Sequence, residues 1–129
     1  MSLYELSFAK VISLSEDIAE VIVDGGVEMD EVMVDEYHAC LLANFKPPFS
    51  VLINKINAYT YGFQAQKKLA TLKEINAIGV VSYNRITDIS TEALASVSRE
   101  VEWNMKVFSN REDAFSWLLS EQSRVNQNV

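Results

Sequence analysis

Nucleophilic or metal-assisted chemistry in this chain would have to draw on a single histidine, His38, and a single cysteine, Cys40. They lie two positions apart in a stretch with helical spacing, so they point to nearly opposite sides. That spacing defeats a Cys–His nucleophile pair and a two-ligand metal site on one helix face. Cys40 falls on the apolar stripe and reads as a small hydrophobe, and His38 reads as a solvated helix residue. Gly25-Gly26 lacks the spacing of a phosphate loop or a dinucleotide fingerprint and reads as a turn. The carboxylate pairs Asp30/Glu31 and Asp35/Glu36 are adjacent in sequence on expected exposed surface, whereas acid–base work needs two carboxyls converging in a cleft. The expectation is a protein without a catalytic set, a metal site or a cofactor, and so not an enzyme.

The residues best suited to bind something form a polar, aromatic corner: Asn54, Lys55, Asn57, Tyr59, Thr60 and Tyr61. Asparagine and threonine offer hydrogen-bond partners and Lys55 a charge. The tyrosines offer flat apolar area with a polar tip. Ligands of open α/β sheets sit beyond the carboxyl ends of the strands, where this corner falls. The competing reading is structural, a capped helix start whose tyrosines pack on their neighbours, with Thr60 as the N-cap.

What must position the corner is a strand–helix–strand unit. Residues 50–56 and 75–83 are nearly continuous apolar runs, which suit parallel strands buried on both faces. A helix over 61–73 supplies the crossover that parallel strands need; Tyr61, Ala65, Leu69 and Leu72 recur along one of its faces. Before this unit, residues 4–14 and 18–23 read as two strands, antiparallel because the Ser15-Glu16-Asp17 link is short. A first helix spans 29–45, with Met33, Tyr37, Cys40, Leu41 and Asn44 on its inward stripe. Pro47-Pro48 then forces an extended entry to the next strand. A third helix is expected over 88–99, with Ile89, Ala93 and Val97 inward. Trp103 covers the core edge or an interface. A last strand over 104–108 leads to a capping box, Ser109-Asn110-Arg111-Glu112, in which Ser109 caps and Glu112 reaches back. The fourth helix ends near Gln122, leaving 124–129 as a polar, frayed tail. The expected order is β-β-α-β-α-β-α-β-α in one α/β domain over 1–129: a mixed, mostly parallel sheet with flanking helices and the first strand at an edge.

Composition narrows the function classes. The net charge is −7, but residues 1–36 hold ten acids against Lys10 alone, −9 for that segment and +2 for the rest. Such a surface repels polyanions, so nucleic acid and anionic lipid headgroups are disfavoured partners. It reads either as a solubilising face or as a dock for a basic partner. No apolar run reaches the roughly 18 residues of a membrane span, and the N-terminus lacks the pattern of a secretory signal. With one cysteine there is no internal disulfide framework. A cytoplasmic location fits.

The element order, together with particular residues, resembles the STAS domain of bacterial anti-sigma-factor antagonists and its SpoIIAA-like relatives. The residues that carry the likeness are Val51-Leu52-Ile53, Ile56-Asn57-Ala58-Tyr59-Thr60-Tyr61-Gly62 and Ala77-Ile78-Gly79-Val80-Val81. To these is added the close from Val107 through Ser109 to Trp117-Leu118, similar to a strand, a short cap and an A-x-x-W-L helix. The 56–61 turn also looks like the R/K-I-N-S/A-Y-S/T turn of small marine bacterial proteins. The resemblance implies a non-enzymatic interaction or regulatory module that binds a protein partner or itself as a homodimer. A second implication is a domain for a small apolar ligand or lipid, because SpoIIAA-like proteins also resemble the Sec14-type carrier fold. One departure stands out. Where those antagonists carry Asp-Ser-Ser-Gly with a phosphorylated first serine, this chain has Tyr59-Thr60-Tyr61-Gly62. Only Thr60 and Gly62 match in kind, so the standard phospho-switch is not implied.

Overall fold

The computed structural model describes residues 2–69, 72–83 and 104–127. In chain order the elements are β1 (Leu3–Glu5), β2 (Ala9–Ser15), β3 (Ile18–Val23), β4 (Glu28–Met29), α1 (Glu31–Asn44), β5 (Phe49–Lys55), β6 (Thr60–Tyr61), α2 (Phe63–Lys68), β7 (Ile75–Ser82), β8 (Met105–Phe108) and α3 (Arg111–Gln127). The helix expected over 88–99 and Trp103 lie outside the described residues.

One mixed sheet of six strands runs in the order β1-β2-β3-β5-β7-β8. The pairs β1/β2 and β2/β3 are antiparallel, and β3/β5, β5/β7 and β7/β8 are parallel. The two apolar runs are therefore neighbours and co-directional, with Val51 opposite Ile78 and Ile53 opposite Val80. The class is α/β, as the strand–helix alternation required.

Residues 4–14 are not a single strand. Leu6 N–H donates to Ala9 O in a tight turn, and the chain doubles back so that Tyr4 pairs with Val11. Phe8, buried at this turn, supplies the reason. Folding back seats its ring in the core, while Ser7 bonds the Glu36 carboxylate.

Side chains alternate across β5, and the two faces build two cores. Phe49 and Val51 pack with Val11 and Val21, and with Val34, Tyr37, Leu41 and Ala65 from α1 and α2. Leu52 packs with Ile18, Ala77 and Val81, and with Ala114 and Leu118 from α3. Each such aliphatic side chain contributes about 1.5–3 kcal/mol by leaving water. Helix α3 lies very close to β7: a Cβ at Gly79 would come 3.4 Å from Leu118.

The inward stripe of α1 is Val34, Tyr37, His38 and Leu41, turned from the expected one. Met33 and Cys40 flank it, half-buried, and Asn44 is exposed, its side-chain amide bonding Cys40 O. The capping of α3 is also one residue later than expected. Asn110 Oδ1 accepts from Asp113 N–H, and Asn110 Nδ2 donates back to Asp113 Oδ2, so Asn110 and Asp113 fill the roles assigned to Ser109 and Glu112. Helix α3 passes Gln122 and takes in 124–127. Gln122 is buried where it crosses the sheet, bonding Ser50, Asp17 and Pro48 O.

Candidate functional site

The loop after β5 is held by a short parallel ribbon. Gly26 N–H donates to Ala58 O, Thr60 N–H to Val27 O, and Gly62 N–H to Met29 O. This pairs Glu28 with Thr60 and Met29 with Tyr61. Gly26 turns the chain into the ribbon with φ +79°, a conformation glycine adopts without a steric penalty. Extended backbone sends alternate side chains to opposite sides. Tyr59 and Tyr61 therefore turn inward while Thr60 is exposed. Thr60 is a strand residue and not the N-cap of α2. That position is Gly62, which offers no side-chain cap. Tyr61 likewise precedes the helix, whose first turn begins at Phe63.

The six corner residues do not converge. Asn57 Nδ2 donates to Val23 O and ties the loop to the end of β3. Asn54 faces the α3 side, where its Nδ2 donates to Glu20 Oε2 at 2.9 Å and its Oδ1 accepts from Tyr83 OH at 2.7 Å. Arg111 grips the same Glu20 carboxylate with two bonds, Nε to Oε2 and Nη2 to Oε1. Glu20 is only 4% exposed, so one of the ten N-terminal acids belongs to the interior and not to the acidic surface. Burial pushes its carboxyl up, but the bonds from Arg111 and Asn54 outweigh this and hold it below the ordinary range.

Lys55, Tyr59 and Tyr61 do converge, on the α1 side. The Lys55 ammonium lies 4.9 Å from the centroid of the Tyr59 ring and 5.2 Å from that of Tyr61. The two rings meet edge to face and their hydroxyls share a hydrogen bond of 3.0 Å. Burial pushes both phenols up, Tyr61 to about 12. Lys55 is only 5% exposed. Among the described residues no carboxylate pairs with it, and burial pulls its amine down to about 8. The ring faces supply the compensation for its charge, on the order of 1–2 kcal/mol at such a dry position.

His38, expected in solvent, is 8% exposed. Its ring stacks obliquely near Tyr37, and its Nε2 has no hydrogen-bond partner. Burial lowers its basicity, against a backbone bond to Leu69 and the nearby Asp35. The helical repeat placed it beside Tyr37, but only α2 and the Leu69 turn cover it.

At the same end of the molecule, Asp30, Glu31, Val32, Gly62, Phe63, Gln64 and Ala65 line an open hollow of about 460 Å³ between the starts of α1 and α2. Val32 and Phe63 are 74% and 67% exposed there. Sequence reading passed over this pair because each looks like an ordinary apolar helix residue. No family model, curated protein or solved structure matches this chain. Among the described residues no helix is long and apolar enough to cross a membrane.

Proposed function

We propose that this chain is a non-enzymatic, STAS-like interaction module whose contact surface is the hollow between the starts of α1 and α2. The observation that carries this reading is the exposure of Val32 and Phe63 side by side, with Asp30 and Glu31 at their rim. Exposed large apolar groups set together favour association, and the acids select a partner segment that combines basic residues with an apolar anchor. The parallel pairing of β5 and β7 is what the STAS likeness required of the sheet, and it supports the same reading. The standard phospho-switch is not part of it, since Thr60 is a strand residue and Tyr59 and Tyr61 replace the acid and second serine of the switch motif.

Site-specific photocrosslinking tests this. A benzophenone side chain in place of Phe63 is expected to give one discrete adduct in cells, weakened by Glu31→Lys, while the same probe at Leu119 gives none. An adduct with a second copy of the chain would identify the homodimer. No discrete adduct at Phe63, together with monomeric sedimentation, would remove the reading. A small-ligand function is the second reading, and Lys55, held by two tyrosine rings with no carboxylate partner among the described residues, favours it.

A further inference from the structure

Among the described residues, one side-chain polar atom is both sealed from solvent and without a hydrogen-bond partner: Nε2 of His38. Such an atom costs a fold stability, so its place asks for a reason. His38 lies on the inward stripe of α1, and its ring reaches the backbone of Leu69, the residue that closes α2. It therefore fills the seam between the two helices. The charged groups that face it come from three elements: Asp35 on α1, Lys68 on α2 and Glu74 before β7. The Tyr37 ring lies beside it. Asp35 is already taken up by Lys68, whose Nζ lies 2.9 Å and 3.0 Å from its two carboxylate oxygens. The hold of α2 on the rest of the molecule is slight. The helix has six residues and no side-chain N-cap, and such a length does not persist without tertiary contacts. Buried Ala65 and Leu69 and the Lys68–Asp35 pair supply those contacts.

We propose that His38 is a proton-sensitive latch: its neutral ring fastens α2 to α1, and its protonation releases α2, so that the hollow between the starts of the two helices loses one wall. A neutral imidazole fits a seam of this kind. An imidazolium is a donor at both nitrogens, and Nε2 meets no acceptor there. Asp35 and Glu74 favour the cation and Lys68 opposes it, but burial outweighs the acids and lowers the ring's basicity. The charged ring is therefore satisfied only where water reaches it, which requires α2 to move off α1. Release at the Leu69 end carries to the hollow because α2 is under two turns long and its other end, Phe63 to Ala65, forms the wall. His38 itself stands about 9 Å along α1 from Val32. The parallel sheet keeps its own bonds throughout, so the change is local. The release of α2 stands by itself, and its effect on binding rests on the interaction reading of the hollow.

The test is nuclear magnetic resonance on the intact protein from about pH 7.5 to 5, the range in which a histidine titrates. His38 is the only histidine, so one ring C–H resonance reports its protonation without ambiguity. By linkage, each pH unit by which its midpoint in the closed protein lies below the ordinary 6.5 multiplies the open population of α2 by about ten, once the pH has passed that midpoint. The Gln66 and Leu69 amides, which bond Gly62 O and Ala65 O, should exchange faster by that factor after correction for intrinsic rates, while amides of β5 and β7 hold. His38→Asn, which cannot titrate, should leave both amides indifferent to pH. A midpoint at or above 6.5 overturns the proposal, as do Gln66 and Leu69 amides that ignore the titration. Equal acceleration in β5 and β7 overturns it too, since that is global unfolding. The adduct expected from a benzophenone at position 63 should fade over the same range, and a constant yield overturns the gating of the hollow. No adduct at any pH would remove the interaction reading and leave the latch to be decided by the resonance and the amides.

Discussion

Asn54 and Lys55 are consecutive on β5, yet one bonds the Glu20–Arg111 pair beneath α3 and the other points toward α1 under Tyr59 and Tyr61. The pleat that separates them divides the expected binding corner in two. One half is a satisfied polar network that fastens α3 to the sheet. The other is a dry cluster whose single charge has no counter-ion among the described residues. These halves answer differently to mutation and to pH.

Lys55 makes stability rise with pH over a definite window. Its folded pKa is about 8 against 10.5 in the open chain. Between those values the unfolded chain binds more protons, so raising the pH favours the fold. Below about pH 8 both forms are charged and the full cost of burial is carried. Above about pH 10 the trend reverses, because the unfolded tyrosines ionise before the buried Tyr59 and Tyr61. Urea midpoints from about pH 7.5 to 9.5 should climb in the native chain and stay flat in Lys55→Met. That variant should also be more stable near pH 7, by about 1–3 kcal/mol.

Cutting the Arg111 grip should expose the worth of the Glu20 network. Arg111→Ala leaves a buried carboxylate with Asn54 as its remaining partner, at a cost on the order of 2 kcal/mol by chemical denaturation. Glu20→Gln in the same background should recover part of the loss, because it removes the unpaired charge. Glu20 has a lowered folded pKa, so its contribution is present above about 4.5 and fades as the pH falls through the folded value. Acid titration of Glu20→Gln should lack this component.

His38 predicts a second acid-sensitive step at higher pH. Its folded basicity lies below the ordinary 6.5, so the unfolded chain binds the extra proton and stability falls as the pH drops below about 6.5. Native-state hydrogen exchange over α1 should accelerate between about pH 6.5 and 5.5. His38→Phe should flatten that dependence, and an unchanged slope in the variant would exclude His38 as its source.

The capping register of α3 separates two adjacent residues. Asn110→Ala should cost about 1 kcal/mol and Ser109→Ala only a few tenths, measured as shifts of the urea midpoint. Equal losses at both positions would place the cap differently.

The sequence by itself determined the alternation of strands and helices, the antiparallel start and the co-directional β5 and β7, because apolar runs and their spacing report directly on which faces exclude water. For residues 54–61 it offered only residue types suited to binding, without their arrangement. It could not divide that corner, since Asn54 and Lys55 are chemically alike as polar residues ending an apolar run and only the pleat assigns them to opposite cores. Nor could it see that Tyr59-Thr60-Tyr61 is extended: local composition resembles a helix start, and the ribbon bonds to residues 26–29 come from a segment some thirty positions away. The burial of Glu20 and His38 was hidden for the same reason. Each has a side chain that water solvates well, and only the arrival of Arg111, or of α2 and the Leu69 turn, makes the interior its lower-energy place.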